Sequence, residues 1–225
     1  MVRESYQKQL RTLREGVIEL SVKVYRQLEQ GLEALLEGDL VLADKLDRYD
    51  DAIDRQSLAL EKLCVELLAL QQPVAVDLRL ITSSYKIATD LERVGDLAVN
   101  LGEYARDSQK IEIISADKLK AAGEIALEMF AETMQAYEQK DLTRAEAVIQ
   151  RDQELDGACW GVIRGFIKQL MLTQMEAQSE SVAEHNASQA LTVLLSMRDL
   201  ERVGDHAVNI AARVVYLISG SHQYI

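Results

Sequence analysis

A chain of 225 residues with 48% hydrophobic content is long enough to bury a sizeable core without disulfide or metal staples. One proline, 5% aromatics and a bulk of Leu, Ala, Glu, Val, Asp and Gln leave little material for strands and point to an all-α fold. A net charge of −12 with no lysine or arginine run argues against nucleic acid as a partner, and no stretch of about 18 apolar residues offers a membrane span.

The opening MVRESYQKQL is polar and charged, unlike a signal peptide, which predicts a cytoplasmic protein. From Ser5 to about Glu37, Leu10, Leu13, Val17, Leu20 and Val24 recur at intervals of three and four, the spacing of one long amphipathic helix. Gly38-Asp39 ends it and caps a second helix, which runs to Gln72-Pro73. A third helix spans about Val76 to Arg106. Asp107 to Gln109 and the β-branched stretch Ile111 to Ser115 then read as a linker. The pattern restarts with a fourth helix from Ala116 to Gln139, a turn at Lys140-Asp141-Leu142, a fifth helix, and a sixth from about Val182 to Ile218. Two tandem three-helix bundles are expected, 1–108 and 109–225, related by an internal repeat. Cys64 and Cys159 stand alone without CxxC spacing and read as core thiols.

The repeat is explicit in the residues. Asp90 to Asn100 (DLERVGDLAVN) matches Asp199 to Asn209 (DLERVGDHAVN) in ten of eleven places at an offset of 109. Asp50-x-x-x-Asp54 corresponds to Asp152-x-x-x-Asp156 at an offset of 102, as Asp39 does to Asp141. The second unit therefore carries seven extra residues between its last two helices, two helical turns, so the faces stay nearly in phase.

Four acidic pairs lie at i and i+4: Asp50/Asp54, Glu92/Asp96, Asp152/Asp156 and Glu201/Asp205. Each pair occupies one helical face. Any single pair reads equally well as a solvated acidic face, but position separates these four from the background. Asp54/Glu92 and Asp50/Asp96 share a midpoint at residue 73, the helix-breaking proline; Asp156/Glu201 and Asp152/Asp205 share one at 178.5, inside the polar stretch Thr173 to Ser181. Two antiparallel hairpins would each bring four carboxylates to one level, a repulsion that a cation resolves. Oxygen ligands suit hard or borderline metal ions, and bridging carboxylates suit a multinuclear cluster of iron, zinc, manganese or magnesium. Asn100 and Asn209, one turn beyond Asp96 and Asp205, are candidate second-tier ligands, and His206 a candidate accessory ligand.

Gly95 and Gly204 inside the matched segments suggest a close helix–helix contact, and Arg93 and Arg202 are expected to pair with Asp90 and Asp199. None of the three histidines has a Glu three residues before it, so the Glu-x-x-His ligation of carboxylate oxidases is missing. A carboxylate-bridged metalloenzyme, hydrolase or oxidase, is the alternative to a non-enzymatic metal-binding adaptor; the sequence offers no base–nucleophile pair for it. No basic-lined pocket or glycine-rich loop that would hold phosphate is legible.

The twin Leu-Glu-Arg-Val-Gly-Asp-x-Ala-Val-Asn segments, the run Gln72-Pro73-Val-Ala-x-Asp77-Leu-Arg79 and the Asp-x-x-x-Asp helices resemble the PhoU family of phosphate-transport regulators across essentially the whole chain. The resemblance implies paired three-helix bundles, usually a homodimer, acting in the cytoplasm as a negative regulator of phosphate uptake. Its implied partners are the phosphate transporter's ATPase and the phosphate-sensing histidine kinase. Some members hold multinuclear metal clusters on motifs that correspond here to the four acidic pairs, while others are empty of metal; the resemblance implies a regulator and no enzyme. Two departures stand out. The second unit has Glu184-His185-Asn186 near where the first has its Pro-x-x-x-Asp-Leu-Arg run, and Ala212 stands where the first unit has Glu103, another possible second-tier ligand. The second cluster is accordingly expected to be smaller or weaker than the first.

Overall fold

The computed structural model describes residues 2–71, 73–108, 111, 116–174 and 180–225. Among the described residues seven helices follow in order: α1 (Val2–Glu37), α2 (Leu40–Gln71), α3 (Ala75–Ser108), α4 (Ala116–Gln139), α5 (Leu142–Gln150), α6 (Asp152–Gln174) and α7 (Glu180–Ser219). Most of the linker expected at 107–115 and the centre of the turn expected at 173–181 lie outside the described residues; Asp107 and Ser108 belong to the end of α3, and Thr173 and Gln174 to the end of α6.

The expected fifth helix is two helices, α5 and α6, parted at Arg151. The Arg151 N–H donates to the Val148 carbonyl three residues back, and the Arg151 carbonyl accepts from both Glu154 and Leu155. One tightened turn leaves the apolar spacing undisturbed, so periodicity could not register it.

The turns that open the two repeats are built alike. Asp39 N–H donates to Ala34 O and Asp141 N–H to Ala136 O, closing α1 and α4 in the same way. Each aspartate then caps the next helix, Asp39 Oδ1 accepting from Leu42 N at 3.0 Å and Asp141 Oδ1 from Arg144 N at 3.0 Å. This reversal needs one residue in the left-handed region. Gly38 fills it at φ 67°, whereas the second repeat uses Lys140 at φ 54°.

Helices α1, α2 and α3 pack on one another, α7 packs on α4, α5 and α6, and the two sets meet along α3–α7 and α1–α4. Apolar side chains from both repeats join a single large core, with Leu13, Val17, Leu20, Ile53 and Leu91 from the first and Phe130, Tyr137, Phe166, Val203 and Ile210 from the second. No described helix is long and apolar enough to cross a membrane. Helix α3 runs antiparallel to α7: Ser83 donates to Arg213 O, Asp90 meets His206, and Asn100 meets Asp199. This seam places the two matched segments against each other.

Candidate metal centres

Glycine sets how closely the carboxylate helices approach. A Cβ on Gly95 of α3 would lie 3.3 Å from both Asp50 Oδ1 and Ile53 Cγ2 of α2; one on Gly204 of α7 would lie 2.4 Å from Leu155 Cδ2 of α6. The close approach expected at both glycines is therefore that of the neighbouring acidic helix.

In the first repeat the acids converge. Carboxylate oxygens of Asp50, Asp54 and Asp96 all lie within 4.8 Å of one another, and no other such group of three occurs among the described residues. Glu92 lies close enough to feel the charges of Asp96, Asp54 and Asp50. Burial, followed by repulsion from Asp54 and Asp96, pushes the Asp50 carboxyl up to about 6, although a hydrogen bond from Gln27 Nε2 at 3.1 Å opposes the shift. Burial and then Asp96 raise Asp54; burial and then Asp96 raise Glu92, against the neighbouring Arg93. Gln27, buried on α1, leaves its Oε1 without a hydrogen-bond partner. Three clustered carboxylates and a buried spare amide oxygen nearby form an oxygen-donor set suited to a hard cation. Gln27 was not singled out in the sequence, because a glutamine on a third helix carries no spacing signal.

The second repeat brings Asp152, Asp156, Glu201 and Asp205 together more loosely. Burial and then Asp156 and Asp205 raise both Asp152 and Glu201, and Glu201 Oε1 is buried with no hydrogen-bond partner. At the 102 offset Gln27 becomes Met129, which is fully buried and whose Cε would contact a Cβ on Gly204. The orphaned carboxylate oxygen and the three like charges fit a cation here too, but with no amide from the third helix. Arg151 lies beside this quartet in the chain and ties α4 to α6, pairing with Glu128 at 3.0 Å, Glu132 at 3.1 Å and Glu154 at 2.9 Å.

The remaining candidates stand apart from the three-carboxylate cluster. Asn100 Nδ2 donates to Asp199 Oδ2 across the seam at 3.0 Å, and His206 Nδ1 lies 2.9 Å from Asp90 Oδ1. Asn209 is exposed, as is Glu103, whose charge acts on Tyr104 and Arg106, while Ala212 is buried. Arg202 approaches Asp199 at 4.0 Å as expected; Arg93 instead pairs with Glu92 at 3.5 Å and Asp96 at 3.2 Å. Asp199 is wholly buried and accepts further hydrogen bonds from Tyr104 OH at 2.7 Å and Arg198 Nε at 2.9 Å. Donors from both repeats thus converge on one buried carboxylate, which makes the seam a polar lock between them. Cys64 and Cys159 are buried free thiols, each pushed up to about 12 chiefly by burial, and are chemically quiet.

Comparison with known proteins agrees in sequence and in structure. The PhoU domain family model matches residues 17–105 and again 119–214. A phosphate-specific transport system accessory protein PhoU homolog from Deinococcus radiodurans is 31% identical, over 99% of this chain and 100% of the relative; one from Pseudomonas putida is 30% identical, over 98% and 83%. The crystal structure of PhoU from Pseudomonas aeruginosa superposes with a TM-score of 0.84 at 29% identity, covering 96% of this chain and all of that one. That of the phosphate transport system regulatory protein PhoU from Streptococcus pneumoniae gives 0.83 at 25% identity, covering 96% and 98%.

Proposed function

The chain belongs to the PhoU family, and from that premise we propose that it serves phosphate transport as a cytoplasmic negative regulator of the phosphate ABC transporter and of phosphate-responsive two-component signalling. Members of the family are accessory proteins, not enzymes. The observation carrying the reading is similarity along essentially the full length to accessory proteins of the phosphate-specific transport system. In this reading the chain is a homodimer and acts by contact with the transporter ATPase and the sensor histidine kinase. Deleting the gene is then expected to derepress phosphate-starvation genes in phosphate excess; expression unchanged by the deletion would sink the assignment.

The same proposal places metal ions on the acidic quartets. Asp50, Asp54, Glu92 and Asp96 would hold them in the first repeat, Asp152, Asp156, Glu201 and Asp205 in the second. A bound cation supplies the positive charge that cancels the repulsion between facing helices, joining α2 to α3 and α6 to α7. The protein's part is to hold the carboxylates at one level and to keep one oxygen of Gln27 and one of Glu201 unpartnered. Elemental analysis of purified protein beside a Glu92→Ala/Asp96→Ala variant tests this: equal metal content in the two would remove the first site.

A further inference from the structure

The run Pro73-Val-Ala-Val-Asp77-Leu-Arg79 has no part in the metal quartets. It opens α3 at one wall of a cavity of about 450 Å³ where both repeats meet. Arg11 and Arg14 of α1, Arg79 of α3 and Lys140 of the α4–α5 turn face it, with Asp77 the one carboxylate among the described lining residues. Leu10, Leu80, Leu217 and Ile218 supply an apolar side. Four cationic side chains around one space stand out in a chain whose net charge is −12.

Two further observations indicate that the cations are kept for a ligand. Arg79 Nε is buried with no hydrogen-bond partner, and the guanidinium lies beside Gly220, where a Cβ would sit 3.5 Å from Nη1. Lys140 brings its charge to the rim from a left-handed backbone that Gly38 occupies without strain at the equivalent turn. Arg14 is partly committed, donating to the Glu138 carbonyl, which also fixes it toward that turn. At the 109 offset Asp77 and Arg79 become Asn186 and Ser188, so the second repeat cannot build a copy.

We infer that this cavity binds a phosphate-type oxyanion, free or as the phosphoryl group of a small molecule, held by Arg11, Arg14, Arg79 and Lys140. Guanidinium forks match phosphoryl oxygens in pairs, and a lysine adds a point charge. The volume lies within the usual range for small-molecule sites and exceeds what phosphate alone fills, so the apolar wall favours a ligand with an organic part. Because α1 and α3 come from one repeat and Lys140 and α7 from the other, an occupant bridges the two.

The site is independent of the regulatory reading, since it is measured on the isolated full-length chain and can fail while a deletion phenotype stands. Calorimetry in a chelator-containing buffer, which keeps anions from bridging metal on the quartets, compares inorganic phosphate with adenosine monophosphate. Binding in either arm with a dissociation constant of about 1 mM or tighter is expected, the nucleotide arm being the stronger if the apolar wall contributes. Arg79→Gln is expected to weaken it by about tenfold or more. Lys140→Gly, which copies the Gly38 turn and so leaves folding intact, is expected to weaken binding while thermal stability holds or rises. Absence of heat in both arms, or affinities unchanged in both variants, overturns the inference.

Discussion

The two acidic quartets are written almost identically in the sequence, yet the helices around them treat the same charges differently. In the first repeat α1 passes so close to α3 that a Cβ on Gly31 would stand 2.5 Å from the Ala98 carbonyl oxygen, and a neighbouring turn of α1 delivers Gln27 to Asp50. In the second repeat the positions equivalent to Gly31 and Ala98 are Thr133 and Ala207, and the threonine hydroxyl reaches the carbonyl at 3.3 Å. Met129 takes the place of Gln27, and Asp152 begins α6, where the helix dipole favours an anion. One repeat eases its acids with an amide on a closely packed helix. The other relies on a helix start and leaves Glu201 Oε1 without a donor. Equivalent acids in sequence thus need not have equivalent surroundings, because the third helix decides what stands behind them.

The largest effect is expected from erasing the difference in helix spacing. Gly31→Thr, which imposes the second repeat's residue on the first, drives a side chain into backbone and should destabilise the protein by about 3 kcal/mol, read as a lower midpoint in urea at constant slope. A loss below roughly 0.5 kcal/mol would show that α1 can retreat at little cost.

A second contrast lies in the dependence on pH with metal removed by chelator. A carboxyl whose native pKa exceeds its unfolded value of about 3.9 contributes stability when protonated and loses it as pH rises through the native value, about 6 for Asp50. Asp50→Asn removes that ionisation. The variant should therefore melt above the parent near neutral pH, and the gap should close as pH falls through about 6 toward 4. A gap that stays constant with pH would locate the effect elsewhere than in Asp50 ionisation.

Gln27→Met converts the surroundings of the first quartet to those of the second. Metal affinity of the proposed first site should fall by about tenfold, the scale expected for residues that support ligands. Titration with a competing chelator measures it, and unchanged affinity would mean that the amide only packs. The smallest effect concerns the turns: Gly38→Lys, the residue its counterpart carries, should cost about 1 kcal/mol by thermal melting.

Legibility differed between the parts of the molecule for physical reasons. The midpoints at 73 and 178.5 put Asp50/Asp96 and Asp156/Glu201 at matching heights, and these side chains do neighbour one another, because helical rise is uniform and a hairpin pairs residues at equal distance from its turn. Arg93 went to Asp96 instead of Asp90, since i+3 and i−3 partners are alike in spacing and the seam with α7 gives Asp90 to His206. Asn100, one turn from Asp96, was drawn across the same seam to Asp199. The tightened turn at Arg151 accompanies three ion pairs, two of which reach α4, and no local pattern encodes those.

By itself the sequence determined the helical segments other than the break at Arg151, the capped turns, the internal repeat and the register of the carboxylates. All of these follow from spacing along one chain and from the conformational preferences of Gly, Pro and Asp. Only the tertiary structure decided in which quartet three carboxylates close to within 4.8 Å, that Asp90 and Asp199 lock the two repeats together, and that Arg11, Arg14, Arg79 and Lys140 surround one cavity. Those outcomes depend on how closely separate helices approach. That distance is set by the volumes at Gly31, Gly95, Thr133 and Gly204 acting together across the core.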